Sequence, residues 1–254
     1  FDNVIVVHGT DTMAYSAAAI AYLNAVSLKT TIVFTGANRP ISDSDTDAFV
    51  NFSQAVLALK YFSEQAVSGC FVVFNGESDG NAPGRIHPAV RVKKDKWDHY
   101  CYRSFYVNTK EQCIGDVVEN RVRFDFSIYE RLLLSSVPTN LASLAFAEKT
   151  VCGIKIFPGL NPDDLPLPNG NRRYFLIELY NSGTAPADGS EFDLTSWVSA
   201  VTNAGGLVFA ISQHEGKSGL SMDIYETSGA LLNAGVIPLG DMIWEAALPK
   251  LMLA

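Results

Sequence analysis

The chain has 254 residues, 48% of them apolar, and its 27 acidic and 19 basic side chains give a formal charge of −8. That balance argues against a nucleic-acid footprint, which needs Lys and Arg clustered on one face. No apolar run approaches the ~20 residues of a membrane-spanning helix, and the length suits one large core or two ordinary ones. Cys70, Cys101, Cys113 and Cys152 are scattered without a CxxC pair. Buried free thiols in a reducing compartment are therefore expected, rather than a zinc site or a disulfide framework.

Val4 to Val7 is a short β-branched run, read as a strand. His8-Gly9-Thr10-Asp11-Thr12 follows it directly, ahead of a helical stretch that places Met13, Ala17, Ile20, Ala21 and Asn24 on one face. Thr31 to Phe34 reads as the next strand. After it come Thr35-Gly36-Ala37-Asn38-Arg39-Pro40, the acidic and hydroxyl-rich loop Ser42 to Asp47, and a second helix with Phe49, Phe52, Val56, Leu59 and Lys60 as its repeat. Cys70 to Phe74 is a third strand. These runs read as strands buried on both faces by helices, the pattern of a parallel sheet in a doubly wound α/β fold.

Residues 108 to 150 break the rhythm, with a short hairpin expected in Gln112 to Val122 and a turn or two of helix in Tyr129 to Leu134. A fresh strand is expected in Gly153 to Gly159, then a loop from Leu160 to Asn171, then strands at Tyr174 to Leu179 and Leu207 to Ile211. The expected organisation is a larger α/β domain over 1–126, a linker over 127–149 and a smaller α/β domain over 150–254.

Thr10 and Asp11 fall where a buried strand runs out, the edge at which open α/β sheets bind ligands. Both are also good helix N-caps, so capping of the Met13 helix is the competing reading. Gly36 and Ala37 open a second loop at the same edge to close backbone approach. The one dense basic cluster, Arg91-Val92-Lys93-Lys94-Asp95-Lys96, supplies a candidate ammonium. In such a trio Asp11 orients and polarises, Lys93 accepts or relays a proton, and Thr10 is the oxygen nucleophile or activates a water. His8 is expected to make a structural hydrogen bond. His87, His99 and His214 lack metal-ligand spacing, and Gly183-Thr184-Ala185-Pro186 and Gly205-Gly206 lack the spacing of a dinucleotide loop. Neither a metal nor a cofactor is expected.

His8-Gly9-Thr10-Asp11-Thr12, Gly36 to Pro40 with Ser44 to Asp47, and the closing stretches Gly229 to Pro238 and Asp241 to Leu251 together resemble the bacterial-type L-asparaginase/glutaminase family, and most of all its cytoplasmic type I branch. The resemblance implies cofactor-free hydrolysis of the L-asparagine side-chain amide to aspartate and ammonia. It puts Thr10 and Asp11 at the catalytic site, Gly9 beside them and the Ala37 carbonyl near the substrate amide. The family's lysine-to-aromatic spacing selects Lys93, through its distance to Tyr102-Arg103-Ser104, with Lys94 and Lys96 as alternatives. Whether L-glutamine is also taken stays open, since one methylene is read by pocket contour.

The family pattern further implies a homodimer or homotetramer in which the Tyr180 to Pro186 loop lies near a partner's Thr10, with no nucleic acid and no membrane as partner. The family also carries a second threonine, in a TGGT-like motif, and a lid tyrosine. This sequence has neither, and the expectation is that the N-terminal part holding them is missing. Two further readings stand beside the enzyme: a non-catalytic amino-acid-binding or regulatory protein of the same fold, and an amidotransferase subunit acting on an acylated tRNA.

Overall fold

The apolar runs do form strands, and in the first half of the chain their alternation builds two cores, one on each face of a single sheet. The structure is a computed structural model, and it describes residues 2–27, 30–75, 82–95, 101–105, 112–133, 150–212, 222 and 225–253. The chain divides into two compact units, Phe1–Ala142 and Ser143–Ala254.

In the first unit β1 (Asn3–Val7), α1 (Met13–Ser27), β2 (Thr31–Thr35), α2 (Ala48–Glu64) and β3 (Gly69–Phe74) make consecutive strand–helix–strand units whose three strands run parallel. Beyond β3 the pairing turns antiparallel. β4 (Gly84–Pro88) pairs with β3, and β5 (Val92–Lys94) and β6 (Tyr102–Ser104) form a separate two-stranded ribbon. The hairpin of β7 (Gly115–Val118) and β8 (Arg121–Phe124) completes a six-stranded sheet in the order β1-β2-β3-β4-β7-β8, and α3 (Phe126–Leu133) follows it. The hairpin turns at Glu119 and Asn120, both at positive φ (48° and 60°), the backbone of the tight turn that matches strand twist.

Because side chains alternate along a strand, Ile32, Phe34, Val72 and Phe74 face one side, against Met13 and Ala17 of α1 and Val92 and Tyr102 of the ribbon. Val33, Phe71 and Val73 face the other, against Ala55, Ala58 and Phe62 of α2 and Ile128 of α3. The ribbon therefore lies on the α1 side of the sheet. α1 buries Met13, Ala17 and Asn24 of the face expected of it, with Ile20 and Ala21 half-buried. α2 does not bury its expected face: Phe49, Phe52 and Val56 are exposed (63%, 48% and 43%), while Asn51, Gln54, Ala55, Ala58 and Phe62 are buried. Its inner face is polar at one end because Asn51 and Gln54 satisfy loop backbone groups there, Gln54 Nε2 donating to the Ala82 carbonyl at 3.0 Å.

The second unit holds β9 (Val151–Lys155), β10 (Tyr174–Leu179), α4 (Leu194–Asn203), β11 (Leu207–Ser212), α5 (Glu226–Ala234), β12 (Val236–Pro238) and α6 (Trp244–Leu253). Its four strands are all parallel, in the order β12-β11-β10-β9. Gly153 falls inside β9 rather than at its start, where a Cβ would come within 2.6 Å of the Trp244 ring. Asp193 caps α4, accepting from Thr195 N at 2.8 Å, and Gly235 ends α5 at φ 113°, a left-handed conformation natural to glycine. No helix of the described residues is long and apolar enough to cross a membrane. None of the four cysteines forms a disulfide, with Cys70 and Cys113 buried as expected but Cys101 and Cys152 only half-buried.

Candidate active site

β1 and β2 leave the sheet side by side, His8 N donating to the Thr35 carbonyl at 2.9 Å. Gly36 is required there: any Cβ would run into the His8 carbonyl oxygen. Gly36→Ala is accordingly expected to cost about 1–3 kcal/mol, as overpacking against backbone does, and to appear as a lower urea midpoint. Gly9 is the opposite case, exposed and with nothing within 4 Å of an added Cβ. Its face is open for a ligand to approach the backbone. His8 Nδ1 lies 2.7 Å from the Gly9 carbonyl oxygen, the local structural bond expected of it.

Thr10 and Asp11 do not occupy the cap of α1. Ser16 N donates to the Thr12 carbonyl at 3.0 Å, which puts Thr12 in the cap position. The side chains of Thr10 and Asp11 meet an ammonium instead. Lys94 Nζ donates to Thr10 Oγ1 at 2.7 Å and to Asp11 Oδ1 at 2.7 Å. The lysine is mostly covered (23% exposed) and the aspartate mostly open (88%).

Lys94 thus takes the place expected of Lys93, and strand geometry explains the correction. Val92 and Lys94 share one face of β5, the face turned into the core, whereas Lys93 points the other way and sits 5.9 Å from the centre of the Phe105 ring. Its cross-strand partner Arg103 lies over the same ring at 5.2 Å and pairs with Asp95. Lys96, His99 and His214 lie outside the described residues.

Three features were not read from the sequence. The Tyr102 hydroxyl donates to the Thr10 carbonyl at 2.6 Å, and burial, with Cys101 and Asp11 nearby, raises the phenol well above its usual pKa, so it stays a protonated donor. The second is a polar network under the Gly36 to Arg39 loop. Asp47, 1% exposed, accepts from the backbone N–H groups of Asn38 (3.0 Å) and Arg39 (3.1 Å) and from Asn51 Nδ2 (3.1 Å). Asn51 also donates to the Gly36 carbonyl at 2.9 Å and accepts from Asn75 N at 2.7 Å. Ala37, half-buried, rides on this support. The third feature is His87, fully buried, with Nδ1 2.8 Å from Ser104 Oγ.

Burial, reinforced by the Arg85 charge, pushes His87 down from 6.5 to about 3. Between those values the unfolded chain binds the proton and the folded one does not. The stabilisation is therefore complete above pH 6.5 and is lost as pH falls toward 3, with a slope of up to about 1.4 kcal/mol per pH unit. Urea midpoints at about pH 7 and about pH 4.5, on either side of the unfolded histidine's titration, should differ markedly in the wild type and less in His87→Asn.

Among the described residues no three His, Cys, Asp or Glu side chains converge as a metal site would need. The arrangement at Thr10 can instead organise a proton path: a hydroxyl, an amine to exchange its proton and a carboxylate to hold the amine.

Residues 1–128 match the family profile described as Asparaginase, N-terminal. Among curated relatives, a glutamyl-tRNA(Gln) amidotransferase subunit from Aeropyrum pernix is 29% identical over 259 residues, covering 99% of this chain and 56% of that protein. The corresponding protein from Metallosphaera sedula is 30% identical over 257 residues, covering 100% and 54%. The chain spans about half the length of the curated relatives it matches. In fold it is similar to the thermostable L-asparaginase from Thermococcus kodakarensis (TM-score 0.71, 24% identity, 100% of this chain and 69% of that one). It is also similar to L-asparaginase I from Vibrio cholerae (TM-score 0.66, 23% identity, 100% and 70%). With its first half matching the family profile and its whole length following the fold, the chain belongs to the asparaginase family.

Proposed function

We propose that the chain hydrolyses the side-chain amide of L-asparagine, with Thr10, Asp11 and Lys94 as its catalytic residues and Gly9 and Ala37 lining the substrate. The observation that carries this reading is the double contact of Lys94 Nζ with Thr10 Oγ1 and Asp11 Oδ1. Thr10 Oγ adds to the amide carbon, or activates a water that does, and its proton is relayed through Lys94 Nζ, which Asp11 holds in place, to the amide nitrogen. The C–N bond breaks as that proton leaves with ammonia; where Thr10 is the nucleophile, water then cleaves the resulting acyl-threonine ester, releasing aspartate and restoring the hydroxyl. The reaction as proposed runs on side chains alone. We further assign the second unit as a smaller C-terminal domain, and we assign a homo-oligomeric state and a cytoplasmic location; the linker expected over 127–149 does not begin at 127, because α3 packs Ile128 into the core of the first unit.

Ammonia release from asparagine, abolished in Thr10→Ala without loss of folding, is the expected result. Calorimetric binding of aspartate by a wild type that releases no ammonia would overturn the reading in favour of a non-catalytic binder. A second reading is favoured by the curated relatives, which are named as amidotransferase subunits: the same amide chemistry serves a glutamyl-tRNA amidotransferase, with a partner protein. The net charge of −8 makes the chain itself a poor tRNA binder. Glutamine hydrolysis that exceeds asparagine hydrolysis, and that rises when a charged tRNA and its partner are added, would select this second reading.

A further inference from the structure

Thr10 is gripped twice, and both grips come from one cross-strand pair. Lys94 and Tyr102 face each other in the β5–β6 ribbon. Lys94 takes the Thr10 hydroxyl and Tyr102 the Thr10 carbonyl, at 2.7 and 2.6 Å. The Tyr102 ring is fully buried, edge-on to Phe74 at 5.0 Å, so the phenol has little room to move. The ribbon is not a strand of the main sheet. Its depth over α1 therefore has to be set by something other than the main sheet's strand pairing.

Two residues beyond Tyr102, Ser104 is 2% exposed and bonds the ring of His87, which belongs to β4 and is registered opposite Val72 of β3. An apolar pair of the same volume would fill this space at no desolvation cost. What the polar pair adds is direction: apolar surfaces slide, whereas a hydrogen bond fixes a distance within a few tenths of an ångström. We propose that Tyr102 is a positioning residue for Thr10, and that the buried His87–Ser104 pair sets the seating of the ribbon from which both Tyr102 and Lys94 reach it. The proposal rests on the amide-hydrolysis reading for its consequence in catalysis, though not for its geometry. Burial keeps His87 neutral well below the usual histidine range, so the same bond holds at mildly acidic as well as neutral pH.

The variants separate positioning from bulk stability. Tyr102→Phe keeps the ring and its packing and removes only the donor. It is expected to lower kcat roughly tenfold, the scale of one misaligned hydrogen bond, with KM within about twofold. Ser104→Ala should act in the same direction. His87→Asn, which keeps a polar atom near Nδ1, should retain most of kcat where His87→Leu does not. Tyr102→Phe and Ser104→Ala combined should cost less than the product of their separate effects, since both act through one ribbon.

A second readout needs no turnover: the side-chain ¹⁵N signal of Lys94 in lysine-labelled protein, assigned by its loss in Lys94→Arg. It should shift in Tyr102→Phe and in Ser104→Ala. A Lys94 signal unchanged in both variants overturns the proposal, whether or not the protein hydrolyses an amide. In an active wild type, unchanged kcat in both variants overturns it too. A wild type that releases no ammonia while the signal shifts removes the hydrolysis reading and leaves the positioning role standing.

Discussion

Lys94→Met is expected to lower ammonia release on the order of a thousandfold or more in kcat, while Lys93→Met stays within about threefold of the wild type. Methionine keeps the length and packing of the lysine stem and removes the ammonium that contacts Thr10 Oγ1 and Asp11 Oδ1. In the resting state that ion pair is worth little, because Asp11 is 88% exposed and water screens it; such pairs contribute about 0–1 kcal/mol to stability. The unfolding midpoint of Lys94→Met should therefore barely move. The effect on rate is large for a different reason: proton transfer and charge on the threonine oxygen develop only as the amide is attacked, so the lysine acts on the transition state. Asp11→Asn should fall between the two lysine variants, since it leaves the Lys94–Thr10 contact in place and weakens only its orientation. Steady-state ammonia assays beside urea unfolding of the same preparations check each part. An active Lys94→Met with an inactive Lys93→Met would reverse the assignment.

That assignment also shows where the sequence is informative. β2 and β3 are legible because strands covered on both faces must be apolar throughout; β1, which Thr10 and Asp11 follow, is expected to be buried in the same way but is only half-buried, with Val7 70% exposed. The lysine is a matter of parity. Val92, the only apolar residue in its cluster, marks the inward face of β5, and Lys94 shares that face while Lys93 does not. Counting from Val92 finds it; counting from Tyr102 does not.

The face of α2 is beyond such counting. Phe49, Phe52 and Val56 look like a core stripe, yet the buried positions are Asn51, Gln54, Ala55, Ala58 and Phe62. The polar members are inside because loops distant in sequence offer them partners, and no local pattern records that. His87 likewise has no metal-like spacing to mark it, and its significance lies in a serine seventeen residues away.

Asp47→Ala is expected to destabilise the first unit by about 2–3 kcal/mol, the scale on which hydrogen-bond donors left without their charged acceptor are felt. Asp47 sits at the cap position of α2, but its side chain makes no capping bond. Its carboxylate turns back to the loop after β2. Truncation would leave the N–H groups of Asn38 and Arg39 and one buried Asn51 amide donor without their acceptor. Asp47→Asn should cost less, since one oxygen still accepts, but its NH₂ would face groups that are themselves donors.

A cap loss alone costs about 1 kcal/mol, so the size of the effect separates the two roles. The functional consequence also differs. If this carboxylate fixes the loop that carries Ala37, KM for asparagine should rise in Asp47→Asn while kcat changes less, because the Thr10–Lys94 contact belongs to other strands. Urea midpoints with a KM and kcat comparison test both parts. A loss near the ~1 kcal/mol of a simple cap, with KM unchanged, would reduce Asp47 to an ordinary helix start.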